Sequence, residues 1–488
     1  MSSRTALASV IAGLCMASPA SAAVTISSAA TSNMSCVSGV CSPTAANAVL
    51  NVGDLTAMLA GGAVTVNTGT GSLAAQVEDI IVASTFNWAS ANALTLDAYR
   101  SVTVTVPVAV NGSAPVSLIT NDGGSGGNLF FISGGSLSFL GTANGLTING
   151  VAYALVDDVA TLARDIKGNP GGSYALAAAY NAAPDGTYRA SPIATHFKGL
   201  FNALGNSISN LSMSGDKPEL GLFAYVGPGG TVNSVELLNA NVRSLFRKRN
   251  KQSETGTLVG INYGAIFNSS ASGNISGKVA PYVGPFFGGL VGYNKGTISF
   301  SEASTSIALT GRASSGPISA GALTGITEGT VAESFATGSV SLNEILESTL
   351  VGGLTGYNSG VLRNCYATGA VYSGNEGQVG GLVGNAYASV EASYSTGNPS
   401  NFKGTNVGGF VGWDGTGGGL SGNYWDTTTS GITNLSQGAS NIANDPGITG
   451  ETTAQLQAGL PSGFDPTIWA ESPSINGGLP YLINNPPQ

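Results

Sequence analysis

Runs of about four to six residues rich in Val, Ile, Thr and Tyr recur along most of this chain, separated by glycines and Asn-Gly-like turns. Ala63-Val64-Thr65-Val66-Asn67, Leu94-Thr95-Leu96-Asp97, Ser101-Val102-Thr103-Val104-Thr105-Val106 and Val116-Ser117-Leu118-Ile119 alternate apolar and polar positions. A period of two places every apolar side chain on one face of an extended strand, so these segments predict strands with one buried side. The exception lies in 151–195. Leu155, Val159, Leu162 and Ile166 fall on one helical face and 174–181 is rich in alanine, which predicts a short helical pair there.

A second pattern has a much longer period. Gly289-Leu290-Val291-Gly292-Tyr293-Asn294 returns as Gly353-Leu354-Thr355-Gly356-Tyr357-Asn358, Gly381-Leu382-Val383-Gly384-Asn385 and Gly409-Phe410-Val411-Gly412-Trp413, with weaker copies around Leu222, Leu258 and Leu323. The anchors 222, 258, 290, 323, 354, 382 and 410 are separated by 36, 32, 33, 31, 28 and 28 residues. Eight residues beyond the anchor stands Ile266, Ile298, Val331, Leu362 or Val390, and twelve beyond stands Phe335, Tyr366 or Tyr394. Register therefore holds through the first part of each copy, and length varies afterwards. One copy cannot bury its own apolar face, so successive copies must stack and share a core. The prediction is an all-β protein, a right-handed parallel β-helix (β-solenoid) with a short helical insertion. Leu258, Leu290, Leu323, Leu354, Leu382 and Phe410 should form one interior ladder.

The repeated phrase, followed by Cys365-Tyr366-Ala367-Thr368-Gly369 or Ser393-Tyr394-Ser395-Thr396-Gly397, resembles the GLUG repeat of bacterial adhesins, large exoproteins and some immunoglobulin A-directed proteases. The resemblance covers about 196–426. The strands before it resemble the N-terminal solenoid of filamentous haemagglutinin-like exoproteins. Together these imply an adhesin-like role and no catalytic residues belonging to the repeat itself. The implied organisation is a signal peptide over 1–22, a β-solenoid region over 23–150, the helical insertion over 151–195, the repeat solenoid over 196–426, and a cap and tail over 427–488.

Composition supports this reading. The 488 residues include 72 glycines but only 9% charged side chains, while 42% are apolar, too many for a disordered chain. Arg4, the apolar stretch 6–16 and Ala20-Ser21-Ala22 have the layout of a secretory signal peptide, and no later apolar run is long enough for a transmembrane helix. The expected location is the medium or the outer surface of a Gram-negative cell, with the periplasm as the alternative. Cys36 and Cys41 can close a small disulfide loop in such a compartment. The net charge of -9 argues against nucleic acid as a partner.

Candidate chemistry is sparse. Gly123-Gly124-Ser125-Gly126-Gly127 matches a nucleophile elbow in letters but lacks its strand-turn-helix setting. His196 is the only imidazole, and Asn121-Asp122-Gly123-Gly124 and Asp185-Gly186 read as turns rather than calcium loops. No cofactor or metal is expected. The sharpest local feature is Arg243, Arg247, Lys248, Arg249 and Lys251, which fall in the longest interval between anchors. They predict a basic loop suited to cell-surface glycans, polysaccharide or a host surface. The sequence thus points to a binding protein; a passive envelope component and a polysaccharide-active enzyme are the alternatives.

Overall fold

The period-two segments do form strands, and they pair in parallel from coil to coil. The computed structural model describes residues 22–69, 77–245, 252–279, 284–311, 317–343 and 348–487. The protein is a β-solenoid of about 11 stacked turns with few short helices.

The N-terminal coils have three faces. One face stacks Ala48–Asn51, Ala22–Ser27, Val77–Val82, Val102–Val104 and Leu129–Phe131. The others stack Phe86–Trp88, Pro107–Val110 and Ser136–Phe139, and Val64–Asn67, Leu94–Asp97, Val116–Ile119 and Leu146–Ile148. Helix α1 (Val52–Gly61) is started by Asn51, whose side chain accepts from the Gly53 and Asp54 amides, and it lays Leu55 and Leu59 on this core. Cys36 and Cys41 are joined by a disulfide across an antiparallel pair of short strands.

Between the two solenoid parts the chain reverses at Asn149-Gly150. Both residues have positive φ, 49° and 75°, which makes the tight hairpin between Leu146–Ile148 and Val151–Val156. One α-helix lies in 151–195, α2 (Val159–Gly168), with a single 3-10 turn at Ala183–Asp185. Asp158 caps α2 by accepting from the Thr161 amide, and the helix buries Val159, Leu162 and Ile166 in the second core. The segment 174–181, expected to be helical, is extended instead, with strands Ser173–Leu176 and Tyr180–Asn181 already in the sheet of the second solenoid. The reason is packing. Ala175 and Ala177 are buried in the N-terminal core together with Leu155 and Leu204, and the Phe139 amide donates to the Ala177 carbonyl. Small side chains let this strand close the open end of the first solenoid, and that burial outweighs alanine's preference for helix.

In the repeat region each anchor sits in a tight arch joining two strands of one coil. The first strands, including Phe286–Gly288, Ile318–Gly321, Thr349–Gly352 and Gln378–Gly380, form a seven-stranded sheet. The second strands, including Val291–Asn294, Thr324–Thr327, Thr355–Asn358 and Val383–Ala386, form another. Leu258, Leu290, Leu323, Leu354, Leu382 and Phe410 are fully buried in one core. From Leu258 to Leu382 each anchor amide donates to the anchor carbonyl of the next coil at 2.8–3.1 Å, so the six stack as one ladder.

The glycines of the repeated phrase have separate steric causes. A Cβ on Gly352 or Gly380 would lie 2.1 or 2.0 Å from the carbonyl oxygen across its own arch, Thr355 or Val383. On Gly353 or Gly381 it would meet the next coil's carbonyl at 2.1 or 2.2 Å. On Gly292, Gly325, Gly356, Gly384 and Gly412 it would press on backbone amides of the neighbouring sheet at 2.4–2.7 Å.

Stacking continues past 426, because Ile448–Glu451 pairs with Asn423–Asp426 and Ala439 bridges to Val411. Beyond it, α3 (Thr453–Leu456) and an antiparallel pair, Trp469–Ala470 with Tyr481–Leu482, turn back along the outside of the sheet formed by Thr330–Ala336, Val361–Ala367 and Tyr394–Ser395. Leu456, Phe464, Trp469 and Leu482 cover Phe335, Tyr366, Tyr394 and Tyr424 there. The aromatic positions twelve beyond the anchor therefore point outward, under a C-terminal strap. Their rings stack, Phe335 on Tyr366 at 4.5 Å and Tyr366 on Tyr394 at 5.0 Å. No helix among the described residues is long and apolar enough to cross a membrane.

Two substitutions test the arch. Leu354→Asp should cost several kcal/mol by placing an unpaired charge in the core. Gly356→Ala should also lower the thermal midpoint strongly, because the Ser319 side chain and two backbone atoms occupy the methyl's place. Gly141→Ala, which meets nothing within 4 Å, should leave it nearly unchanged. Thermal unfolding of the three variants checks this.

Candidate functional site

The repeated phrase carries a surface as well as a core. Its tyrosine, three residues after the anchor, pairs in register along the second sheet as Tyr225, Ile261, Tyr293, Ile326, Tyr357, Asn385 and Trp413. Most of these side chains are half-buried; Asn385 is buried. Two residues further on, the chain rounds a corner, and Tyr263, Lys295, Glu328, Ser359 and Tyr387 stand exposed in successive coils. Their amides donate to the carbonyls of Val226, Asn262, Asn294, Thr327 and Asn358, so this second row stacks too.

The two rows make one narrow aromatic belt. His196 stacks on Tyr225 at 4.1 Å, and Tyr225 on Tyr263 at 5.4 Å. The Lys295 ammonium lies 5.6 Å from the Tyr263 ring centre and 5.1 Å from that of Tyr293. It also pairs with Glu328 at 3.1 Å, while the Tyr293 hydroxyl donates to Glu328 at 2.6 Å. Tyr357 and Tyr387 are 5.7 Å apart, and Trp413 follows in the first row. Burial, then the bond to Glu328, pushes the Tyr293 hydroxyl up to about 12, while its bonds to Tyr293 and Glu328 raise Lys295, so both keep their protons at neutral pH. Six coil steps from Tyr225 to Trp413 at ~4.8 Å each give a belt on the order of 29 Å long.

Beneath the belt, the asparagine that follows the tyrosine is structural. Asn262 donates to Asn294 at 2.8 Å and accepts from the Gly264 amide, and Asn358 donates to the Ala388 carbonyl. Both are fully buried, and they fix the corner that presents the second row.

Other residues singled out from sequence lie apart from the belt, except His196, which is exposed and extends it. Arg243 is exposed but sits in the strand Glu236–Ser244 rather than a loop, paired with Ser214 and Ser276. Arg247, Lys248, Arg249 and Lys251 lie outside the described residues, as do residues 1–21. Asn121 clamps its loop by bonding both the amide and the carbonyl of Gly127, and Asp185 accepts from the hydroxyls of Tyr180 and Tyr188. Cys365 is buried in the core, and burial pushes its thiol up to about 12. Among the described residues no group of three or more His, Cys, Asp or Glu side chains is placed to hold a metal ion.

From the sequence alone the belt tyrosines are legible only as repeat markers. Their spacing was visible, but which side they face was not. The second row carried no repeated residue type that could have revealed it.

Fold and repeat together define a β-solenoid protein built of stacked, self-similar coils, one of which is matched by a known motif. A family model described as the GLUG motif matches residues 347–372. No curated protein matches the chain.

Two glutamates make stability depend on pH. Glu302 lies in the same outward row as Ser270 and Phe335; burial, then Glu236 two coils away, pushes its carboxyl up to about 7. Glu254 is pushed up to about 7 by burial and by its register partner Glu219. The folded chain therefore holds these protons more tightly than the unfolded chain. The stability this contributes is full below the unfolded value, near 4.5, and is lost as pH rises through about 7. The thermal midpoint should fall between pH 5 and pH 8, and Glu254→Gln with Glu302→Gln should flatten that fall.

Proposed function

We propose that this chain is an exported, adhesin-like binding protein that holds extended glycans along the aromatic belt, by binding rather than catalysis. The observation that carries the reading is the outward run of rings, Tyr225, Tyr263, Tyr293, Tyr357, Tyr387 and Trp413, which occurs in six of seven successive coils and is exposed or half-buried rather than fully buried. Aromatic side chains left at a surface mark contact sites, and flat rings suit the C–H faces of sugar rings. The strip is one or two rings wide and flanked by amide, hydroxyl and paired charged groups, which fits a linear polymer better than a broad protein interface. The Lys295–Glu328 pair leaves its centre without a free charge, so a neutral polysaccharide is the favoured ligand. The oxidised Cys36–Cys41 pair accords with an exported location.

The test is binding of the full chain to a glycan array and to intact cells. Tyr263→Ala, Tyr293→Ala and Tyr387→Ala together should reduce neutral-polysaccharide binding at least tenfold while changing the thermal midpoint little. Neutralising Arg243, Arg247, Lys248, Arg249 and Lys251 should leave that binding intact and weaken only salt-sensitive attachment to anionic surfaces. If the tyrosine variant binds neutral glycans as the wild type does, the belt is not the adhesive surface.

A further inference from the structure

Each coil of the second solenoid turns one corner with a residue in the left-handed region. The series is Leu204, Ser234, Asn268, Phe300, Glu333, Asn364, Ala392 and Gly422, with φ between 45° and 61°. At this corner, ten residues beyond the anchor from Asn268 to Ala392 and twelve beyond it at Ser234 and Gly422, Asn and Gly are the residues the geometry accepts at least cost. Leu204, Ser234, Phe300, Glu333 and Ala392 are neither and are held there against preference; two of them, Phe300 and Glu333, are set apart by position. They occupy neighbouring coils, and both line the same cleft.

That cleft, of about 760 Å³, lies between the first face of the N-terminal coils, this corner ridge and the C-terminal strap. Phe130 and Phe300 supply its apolar wall, with ring centres 5.3 Å apart. Arg100 belongs to another wall, but its guanidinium is already held by Asp79 at 2.5 and 3.0 Å and by Glu78 at 3.2 Å, so no free cation awaits an anion. The Glu333 carboxylate has no hydrogen-bond or ion-pair partner among the described residues; burial raises its pKa, and the more distant charge of Arg363 on the next coil partly offsets this. Neutral donors and acceptors, Ser101, Asn128, Thr467 and Asn484, complete the lining.

We propose that this cleft is a binding site for a short neutral saccharide, one or two rings long, with Glu333 accepting from paired hydroxyls. The volume is that of a small-ligand site, and the combination of an apolar wall, one free carboxylate and several neutral polar groups matches a polyhydroxylated ring. A simple amine would use the carboxylate but leave most of the neutral groups unpaired. The site is separate from the belt and does not depend on it. Because Thr467 and Asn484 belong to the strap, a bound sugar also fastens the strap to the N-terminal coils.

The test uses the full chain and a panel of maltose, cellobiose, lactose and N,N′-diacetylchitobiose, followed by calorimetry and ligand-observed NMR. At least one disaccharide should bind and raise the thermal midpoint. Glu333→Asn, which installs the residue found at 268 and 364, should lose affinity tenfold or more without lowering the thermal midpoint of the free protein. Tyr293→Ala should bind the disaccharide as the wild type does, which separates this site from the belt. Binding of none of the four, binding of methylamine alone, or unchanged affinity in Glu333→Asn would overturn the proposal. Should Glu333→Asn fail to fold, Thr467→Val on the opposite wall decides: a tenfold loss supports the site, and unchanged affinity removes it.

Discussion

Backbone meets backbone in this solenoid, and the remaining structure depends on that approach. Where the second strand of each coil passes the neighbouring sheet, amide groups stand so close that only a hydrogen fits on Gly292, Gly325, Gly356, Gly384 and Gly412. The same arch brings Gly352 and Gly380 against the carbonyls of Thr355 and Val383. Side chains are thereby excluded from the arch, and the residue at its tip, the anchor leucine, has nowhere to go but inward. Core ladder and glycine spacing are two consequences of one steric limit.

A scaffold fixed in this way leaves its outer positions free. Tyrosine, isoleucine, asparagine and tryptophan all occupy the first belt row at no cost to the core, since the ladder bonds run through the backbone. Function can then vary along the strip while stacking stays constant. The two buried asparagines, Asn262 and Asn294, do the opposite work: their side-chain bond replaces water at a corner that would otherwise leave polar backbone unsatisfied.

Outside the repeat, the chain uses its flanks to cover what stacking leaves open. Ala175 and Ala177 close the end of the N-terminal core, α2 closes the start of the second, and the strap covers the stacked Phe335, Tyr366 and Tyr394. Tyr394 is tied to the strap twice, donating to the Pro480 carbonyl and accepting from Asn476. A solenoid has exposed ends and exposed ladders by construction, and these three are met by segments whose own sequences have no repeat.

The strands, the coil period, the interior ladder and a helix through Val159, Leu162 and Ile166 are legible from the sequence, because local alternation and fixed spacing follow from the backbone geometry of strand and helix; Leu155, expected on the same helical face, lies in the strand Val151–Val156. Partner and direction are not. Segment 174–181 read as helix by composition, yet contact with the first solenoid made it a strand; Arg243 read as loop and lies in a strand. The aromatic rows three and twelve beyond the anchor look alike as letters. One became a half-buried belt open to solvent and the other a buried stack, because a segment over 100 residues later in the chain than Phe335 folds back over only one of them. A sequence states its own periodicity, but which face is left to water depends on distant segments, and only the tertiary structure decides that.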